Sequence, residues 1–123
     1  MFSAVRSTAI EVGEAIVFNQ VTANVGAGFN STAFTAPVAG VYRFTVDFQI
    51  MWNFMPVNVE MMYEGRTIMM RPLTSEALCA GSLHMDVIVH MQARQTVTLK
   101  LTGAIKTCPA AYQMFAGQLL NAL

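Results

Sequence analysis

The stretch Phe34-Thr35-Ala36-Pro37-Val38-Ala39-Gly40-Val41-Tyr42-Arg43-Phe44-Thr45-Val46-Asp47-Phe48-Gln49-Ile50 decides how the rest of the chain is read. From Val41 onward, Tyr42, Phe44, Val46, Phe48 and Ile50 fall on one side, and Arg43, Thr45, Asp47 and Gln49 on the other. Strict alternation over ten residues is the mark of a strand with one face buried and one exposed. Pro37 and Gly40 shape the turn that enters it, and a Pro ahead of a strand removes no ladder bond.

The same alternation recurs downstream. Leu83, Met85, Val87, Val89 and Met91 oppose Ser82, His84, Asp86 and His90, with Ile88 the one outward apolar residue of that run. Val97, Leu99 and Leu101 oppose Thr96, Thr98, Lys100 and Thr102. Shorter strands are expected at 3–10, 15–21, 57–63, 66–70 and 112–120. Gly26, Gly28 and Asn30 break the chain after the second of these, and Glu64-Gly65 reads as a tight hairpin turn. Only 8–15 and 73–81 have any helical character, and both are short. Eight or more short strands with turns every eight to twelve residues predict an all-β fold, a two-sheet jelly-roll sandwich of about ten strands, as one domain over 2–123.

Composition limits what such a sandwich does. Apolar residues make up 54% of the chain and charged ones 11%, where a soluble domain carries roughly 25% charge. A small core cannot hide all of this, so the surplus points to a permanent subunit interface. Arg43, Asp47, Glu60, Glu64, Arg66 and Arg71 interrupt the richest region, so no membrane span is expected. Seven Lys and Arg, scattered and balanced by seven Asp and Glu, give no footprint for nucleic acid. Met1-Phe2-Ser3-Ala4 lacks a signal-peptide pattern, and the expectation is a domain excised from a longer protein.

Catalysis finds little support. Both histidines lie on one strand, where His84 and Asp86 are same-face neighbours about 7 Å apart. They are candidates for a shared hydrogen bond, a pH-sensitive face or a metal, against the plainer reading of an outer surface or subunit contact; His90, about 20 Å from His84, cannot join them. No nucleophile elbow, zincin, P-loop or dinucleotide motif occurs. Met51, Met55, Met61, Met62, Met69 and Met70 crowd the middle of the chain beside Trp52 and Phe54; they fit core and axis filling first and a greasy ligand patch second. Cys79 and Cys108 are too far apart for redox Cys-x-x-Cys chemistry, which leaves a disulfide between neighbouring loops or two buried thiols. Asn30-Ser31-Thr32 is the one glycosylation sequon, and the Gly-rich stretch before it argues for an exposed loop.

Taken together, Phe2-Ser3-Ala4, Val17-Phe18-Asn19, Asn24, Gly28-Phe29-Asn30, the block from Phe34 to Phe44 and the closing Phe115-Ala116-Gly117-Gln118-Leu119-Leu120 resemble the globular head domain of the complement C1q family, within the tumour-necrosis-factor-like jelly rolls. The resemblance spans the whole chain and marks Phe18, Asn19, Phe34, Pro37, Gly40, Tyr42, Phe44, Phe115, Gly117 and Leu119 as a family core motif. It implies a secreted homotrimer, often on a collagen-like stem, that binds polysaccharides, microbial surfaces, immune proteins or receptors. No Gly-x-y stem is part of this sequence; a trimmed stem and a stemless member both fit.

Two departures matter. Thr32-Ala33 replaces the family's frequent Thr-Gly. Arg94-Gln95 stands where a Gly-Asp usually precedes the Val-x-Leu strand, so either the turn avoids positive φ or Arg94 is strained. Losing that Asp argues against an inherited calcium site, and no cofactor is expected. In the family's sheet the strands at 82–91 and 112–120 flank the long strand, which brings the loops holding Cys79 and Cys108 to the same end, roughly 10 Å apart. A bond needs Cα atoms within about 7 Å, and an extracellular setting favours it; two buried thiols remain the alternative. The leading functional expectation is a lectin-like recognition module of innate defence. Its rival is a trimeric signalling ligand or matrix component, and a carrier using the Met-rich region stands third.

Overall fold

The computed structural model describes residues 1–6, 10–11, 13, 15–18, 20–24, 28–50, 57–73, 81–103, 107–108 and 112–122. Its strands are β1 (Phe2–Arg6), β2 (Ile10–Glu11), β3 (Gln20–Asn24), β4 (Ala33–Thr35), β5 (Gly40–Ile50), β6 (Val57–Tyr63), β7 (Arg66–Leu73), β8 (Gly81–Met91), β9 (Thr96–Gly103), β10 (Thr107–Cys108) and β11 (Tyr112–Ala122). One sheet has the order β3-β1-β11-β5-β8 and the other β4-β9-β6-β7, with β10-β2 as a separate short pair. All pairings are antiparallel. The first and last strands lie side by side in the middle of one sheet with β5 and β8, while β4, β6, β7 and β9 form the other, which is the jelly-roll sandwich expected from the alternation.

The long strand does what its pattern demands. Tyr42, Phe44, Val46 and Phe48 are buried, while Arg43 is exposed and Thr45 and Asp47 are half-buried. Aromatic packing dominates the interior. The Phe2 ring stacks on Phe29 at 4.5 Å and meets Phe115 edge-on at 4.9 Å; such pairs contribute roughly 0.5–1.5 kcal/mol each beyond their buried area. Gly117 makes this possible. A Cβ there would lie 2.5 Å from Cε1 of Phe2 and 2.9 Å from Cδ1 of Phe44, so its missing side chain makes room for two rings.

Leu119, marked by the resemblance as part of the family motif, is 40% exposed. It lies opposite Tyr42 just before a bulge in the β11–β5 pairing, and its Cδ1 occupies the space that a Cβ on Gly40 would need, 2.7 Å away. The side chain thus covers a glycine at the end of the sandwich. Phe18, Phe34, Tyr42, Phe44 and Phe115 are buried; Pro37 is an exposed turn residue, and Asn19 lies outside the described residues.

Strand boundaries also differ from the sequence pattern. The strand expected at 15–21 begins at Gln20. Ile16 and Phe18 are buried around an exposed Val17, so the alternation is real. The backbone, however, bonds to two different partners, Ile16 N–H to Leu99 O and Phe18 N–H to Ser31 O, and no continuous ladder forms. Of the strand expected at 3–10, Ser3 to Arg6 belong to β1 and Ile10 to β2, and 7–9 lie outside the described residues. β4 was invisible because only Phe34 of its three residues is buried. Glu64 and Gly65 both have positive φ, 50° and 78°, the two-residue hairpin turn of type I′ that their sequence indicates. Arg94 has φ 71°: of the two outcomes left open by its missing glycine, the strained one is observed.

Candidate interaction surface

The outer face of the five-stranded sheet is built from the residues that alternate with the core. Along one row stand Ser3, Ala116, Thr45 and Asp86, and along the next Val5, Met114, Asp47 and His84, as fixed by strand register. Across β5 and β8 the charges form a ladder. The Arg43 guanidinium donates through Nε to Oδ1 of Asp86 at 2.8 Å and through Nη2 to Oδ2. His84 Nδ1 lies 2.7 Å from Oδ1 of Asp47. The hydrogen bond from Arg43 holds the Asp86 carboxyl below its ordinary range, helped by the charges of Arg43 and His84 against the cost of desolvation, and Asp86 raises Arg43 in return. Both side chains remain well hydrated, so the pair orients the face more than it stabilises the fold.

Between this ladder and β1 the face dips into a shallow cavity of about 330 Å³, lined by Ser3, Thr45, Ala116 and Gly117 and bordered by Arg43 and Gln118. The dip exists because three adjacent strands place small residues side by side. Ile88, 64% exposed, stands opposite Arg43 on β8.

A second surface runs along the edge strand β7, which approaches β8 across the side of the sandwich. A register shift in β6–β7 leaves Ile68 without an opposite residue, so Arg66 faces Tyr63, Met69 faces Met61 and Arg71 faces Val59. This bulge keeps both arginines at core-side positions of an edge strand, flanking the half-buried Met69. Arg66 and Arg71 are exposed, as are Ile68 and Met70 beside them. Among the described residues neither arginine has an ion-pair partner.

His84 and Asp86, singled out by their spacing along one strand, each take a partner on β5 instead of each other. Reading one strand at a time conceals this, because cross-strand neighbours are closer than the about 7 Å between same-face residues along a strand. His90 is exposed opposite Val41. A further cluster gave no sequence signal. Glu60 accepts hydrogen bonds from Thr67 (2.6 Å) and Thr102, and these bonds, Thr102's first, hold its carboxyl below the ordinary range. The hairpin strands β6 and β7 and the distant β9 supply it, so only the register brings it together.

Asn30 is exposed, and its Oδ1 accepts from the backbone N–H of Thr32 and Ala33 at 3.1 and 2.8 Å. β8 and β11 do flank β5, and both start at its Ile50 end. Cys108 lies in β10 opposite Ile10; its side chain, Cys79 and the 51–56 segment with Met51 and Met55 lie outside the described residues. Met61, Met85 and Met91 are core residues, whereas Met70 is 49% exposed. Among the described residues no three His, Cys, Asp or Glu side chains gather as a metal site, and no helix is long and apolar enough to cross a membrane.

The C1q domain family matches this chain over residues 1–120. Among solved structures, the globular domain of zebrafish complement 1qA protein is similar with a TM-score of 0.79 and 14% identity, covering 99% of this chain and 98% of that one. The structure of Eiger TNF from S. frugiperda is similar with a TM-score of 0.67 and 12% identity, covering 99% of this chain and 92% of that one. At these identities both likenesses concern the fold.

Proposed function

This chain belongs to the C1q domain family, and from that premise we propose that it works as a homotrimeric recognition module binding glycans, microbial surfaces or immune proteins. The domain is extracellular, as its family is, and it is a binding domain, not an enzyme. The observation that carries the reading is the five-stranded sheet, whose outer face combines small residues, an ordered charge ladder and the exposed Ile88. A sandwich whose inner faces already share one full aromatic core has no intramolecular use for such a face, and subunit contact is the use that the apolar surplus favours.

Recognition then falls to surfaces that remain outside the subunit contact. A glycan and microbial-polysaccharide array probed with the secreted protein tests it. Saturable binding competed by the free sugar supports recognition of glycans. No binding to any glycan or microbial surface, together with nanomolar capture by a receptor ectodomain, would instead identify a signalling ligand. Arg94-Gln95 in place of Gly-Asp leads us to expect no calcium site tighter than about 10⁻⁴ M, the weak end for extracellular modules.

A further inference from the structure

We propose that Asn30 carries an N-linked glycan, presented on a turn that is built around its own side chain. The inference goes beyond ligand recognition. It rests on the extracellular setting of the domain and is independent of the trimer.

The sequence supplies the acceptor triplet, Asn30-Ser31-Thr32, with no Pro at its middle position. The structure supplies what a chance triplet lacks, an exposed amide in a fixed orientation. Asn30 is exposed, and the chain around it is firmly bonded. Phe29 exchanges two bonds with the Asn24 side chain: Nδ2 donates to Phe29 O at 2.8 Å, and Phe29 N–H donates to Oδ1 at 3.2 Å. The Asn30 N–H donates to Ala33 O at 3.1 Å, and Ser31 O accepts from Phe18 N–H at 2.6 Å. Ser31 itself takes a positive φ of 81° inside this turn.

The two ends of the Asn30 amide have separate tasks. Oδ1 accepts from the N–H groups of Thr32 and Ala33. Two donors facing one end of an amide identify that end as the oxygen and put the nitrogen at the other. Among the described residues Nδ2 makes no hydrogen bond, and neither does the Thr32 hydroxyl. These are the nucleophile and the recognised hydroxyl of the sequon. In the transfer, Nδ2 attacks the anomeric carbon of an oligosaccharide linked to a lipid diphosphate. A C–N bond forms, the anomeric C–O bond breaks, the lipid diphosphate leaves and Nδ2 gives up one proton. The product amide keeps its carbonyl oxygen, so both bonds that close the turn survive. The folded domain therefore carries the sugar without rearrangement.

Position says what the sugar does. Asn24 ends β3 and Ala33 begins β4, each the outermost strand of its sheet, at the end of the strand order remote from β8 and β7. A glycan on Asn30 keeps that side of the sandwich in water and blocks strand addition along it.

The test uses the protein secreted from a glycosylating eukaryotic cell line, with mass spectrometry of intact protein and peptides before and after peptide-N-glycanase. Wild type should exceed its chain mass by one oligosaccharide, which the enzyme removes while converting Asn30 to Asp. Thr32→Ala should lose the sugar, and Thr32→Ser should keep it. If Thr32→Ala fails to fold, Asn30→Asp replaces it, because its carboxylate still accepts the two N–H bonds. Secreted wild type with an unmodified Asn30 overturns the proposal, as does sugar that persists at Asn30 in Thr32→Ala. Glycan on a protein that sediments as a monomer supports this inference and overturns the trimer reading alone.

Discussion

Gly117 is the cross-strand partner of Phe2, so close that a methyl group on it would stand 2.5 Å from Cε1 of the ring. Phe2 is the hub of the aromatic core, touching Phe29, Phe34, Phe44 and Phe115. Gly117→Ala is therefore an overpacking change at the point where β1, β5 and β11 meet, and it should cost roughly 1–3 kcal/mol. Urea denaturation monitored by circular dichroism measures it. An unchanged midpoint would show that Phe2 yields freely, and that the ring stack is not what fixes the first strand.

Arg94 makes the opposite prediction. Its φ of 71° is a left-handed conformation that costs a residue with a side chain roughly 1–2 kcal/mol. It is held there by its N–H bonding to Ala36 O at 2.7 Å, with Gln95 N–H closing onto Gln92 O. Arg94→Gly should raise stability by about 0.5–1 kcal/mol after the extra flexibility of the unfolded glycine is subtracted. Arg94→Ala should bring no such gain. Equal behaviour of the two variants would remove strain as the explanation.

Acid should weaken the fold through Glu60 and Asp86. Both carboxyls are lower in the folded chain than their ordinary values of 4.5 and 3.8, so the unfolded chain binds protons first as pH falls. Their contribution is complete above those ordinary values and is lost as pH drops through the lower folded ones. Thermal melts should be level in pH between about 6 and 8 as far as these two groups are concerned, and fall below about 4.5. Glu60→Gln should flatten part of that fall. A variant with the same acid dependence as wild type would show that the hydrogen bonds from Thr67 and Thr102 do not matter to folding.

The cysteines yield a further prediction. β8 and β11 start at the same end of β5, the arrangement that favours a Cys79–Cys108 bridge in an oxidising compartment. Closing a loop of about 30 residues would stabilise the fold by roughly 3–4 kcal/mol in the chain-entropy model. Mass spectrometry of unreduced peptides from freshly secreted protein should find the two linked. Two free thiols would mean that they serve as small apolar side chains.

What could be read from the sequence follows a physical divide. The β5, β8 and β9 patterns were legible because each long strand buries one face, and period-two alternation reports that directly. Glu64-Gly65 was legible because few residue pairs adopt two consecutive positive φ values. The interaction surfaces were not. Arg43 with Asp86, Asp47 with His84, and Glu60 with Thr67 and Thr102 depend on register between strands that lie up to about forty residues apart. A one-residue slip would have sent every one of these side chains to the other face. The bulge at Ile68, which decides where Arg66 and Arg71 point, likewise has no local signature. Nor does any local pattern show that the exposed Leu119 covers Gly40 at the sandwich end.

Sedimentation equilibrium of the secreted protein at micromolar concentration tests the central claim most directly. A recognition module that relies on the outer face of its five-stranded sheet for self-association should show one species at three times the chain mass of 13.4 kDa. A single species at the chain mass itself would contradict the account and leave that face, with its ladder and its cavity, without the role assigned to it.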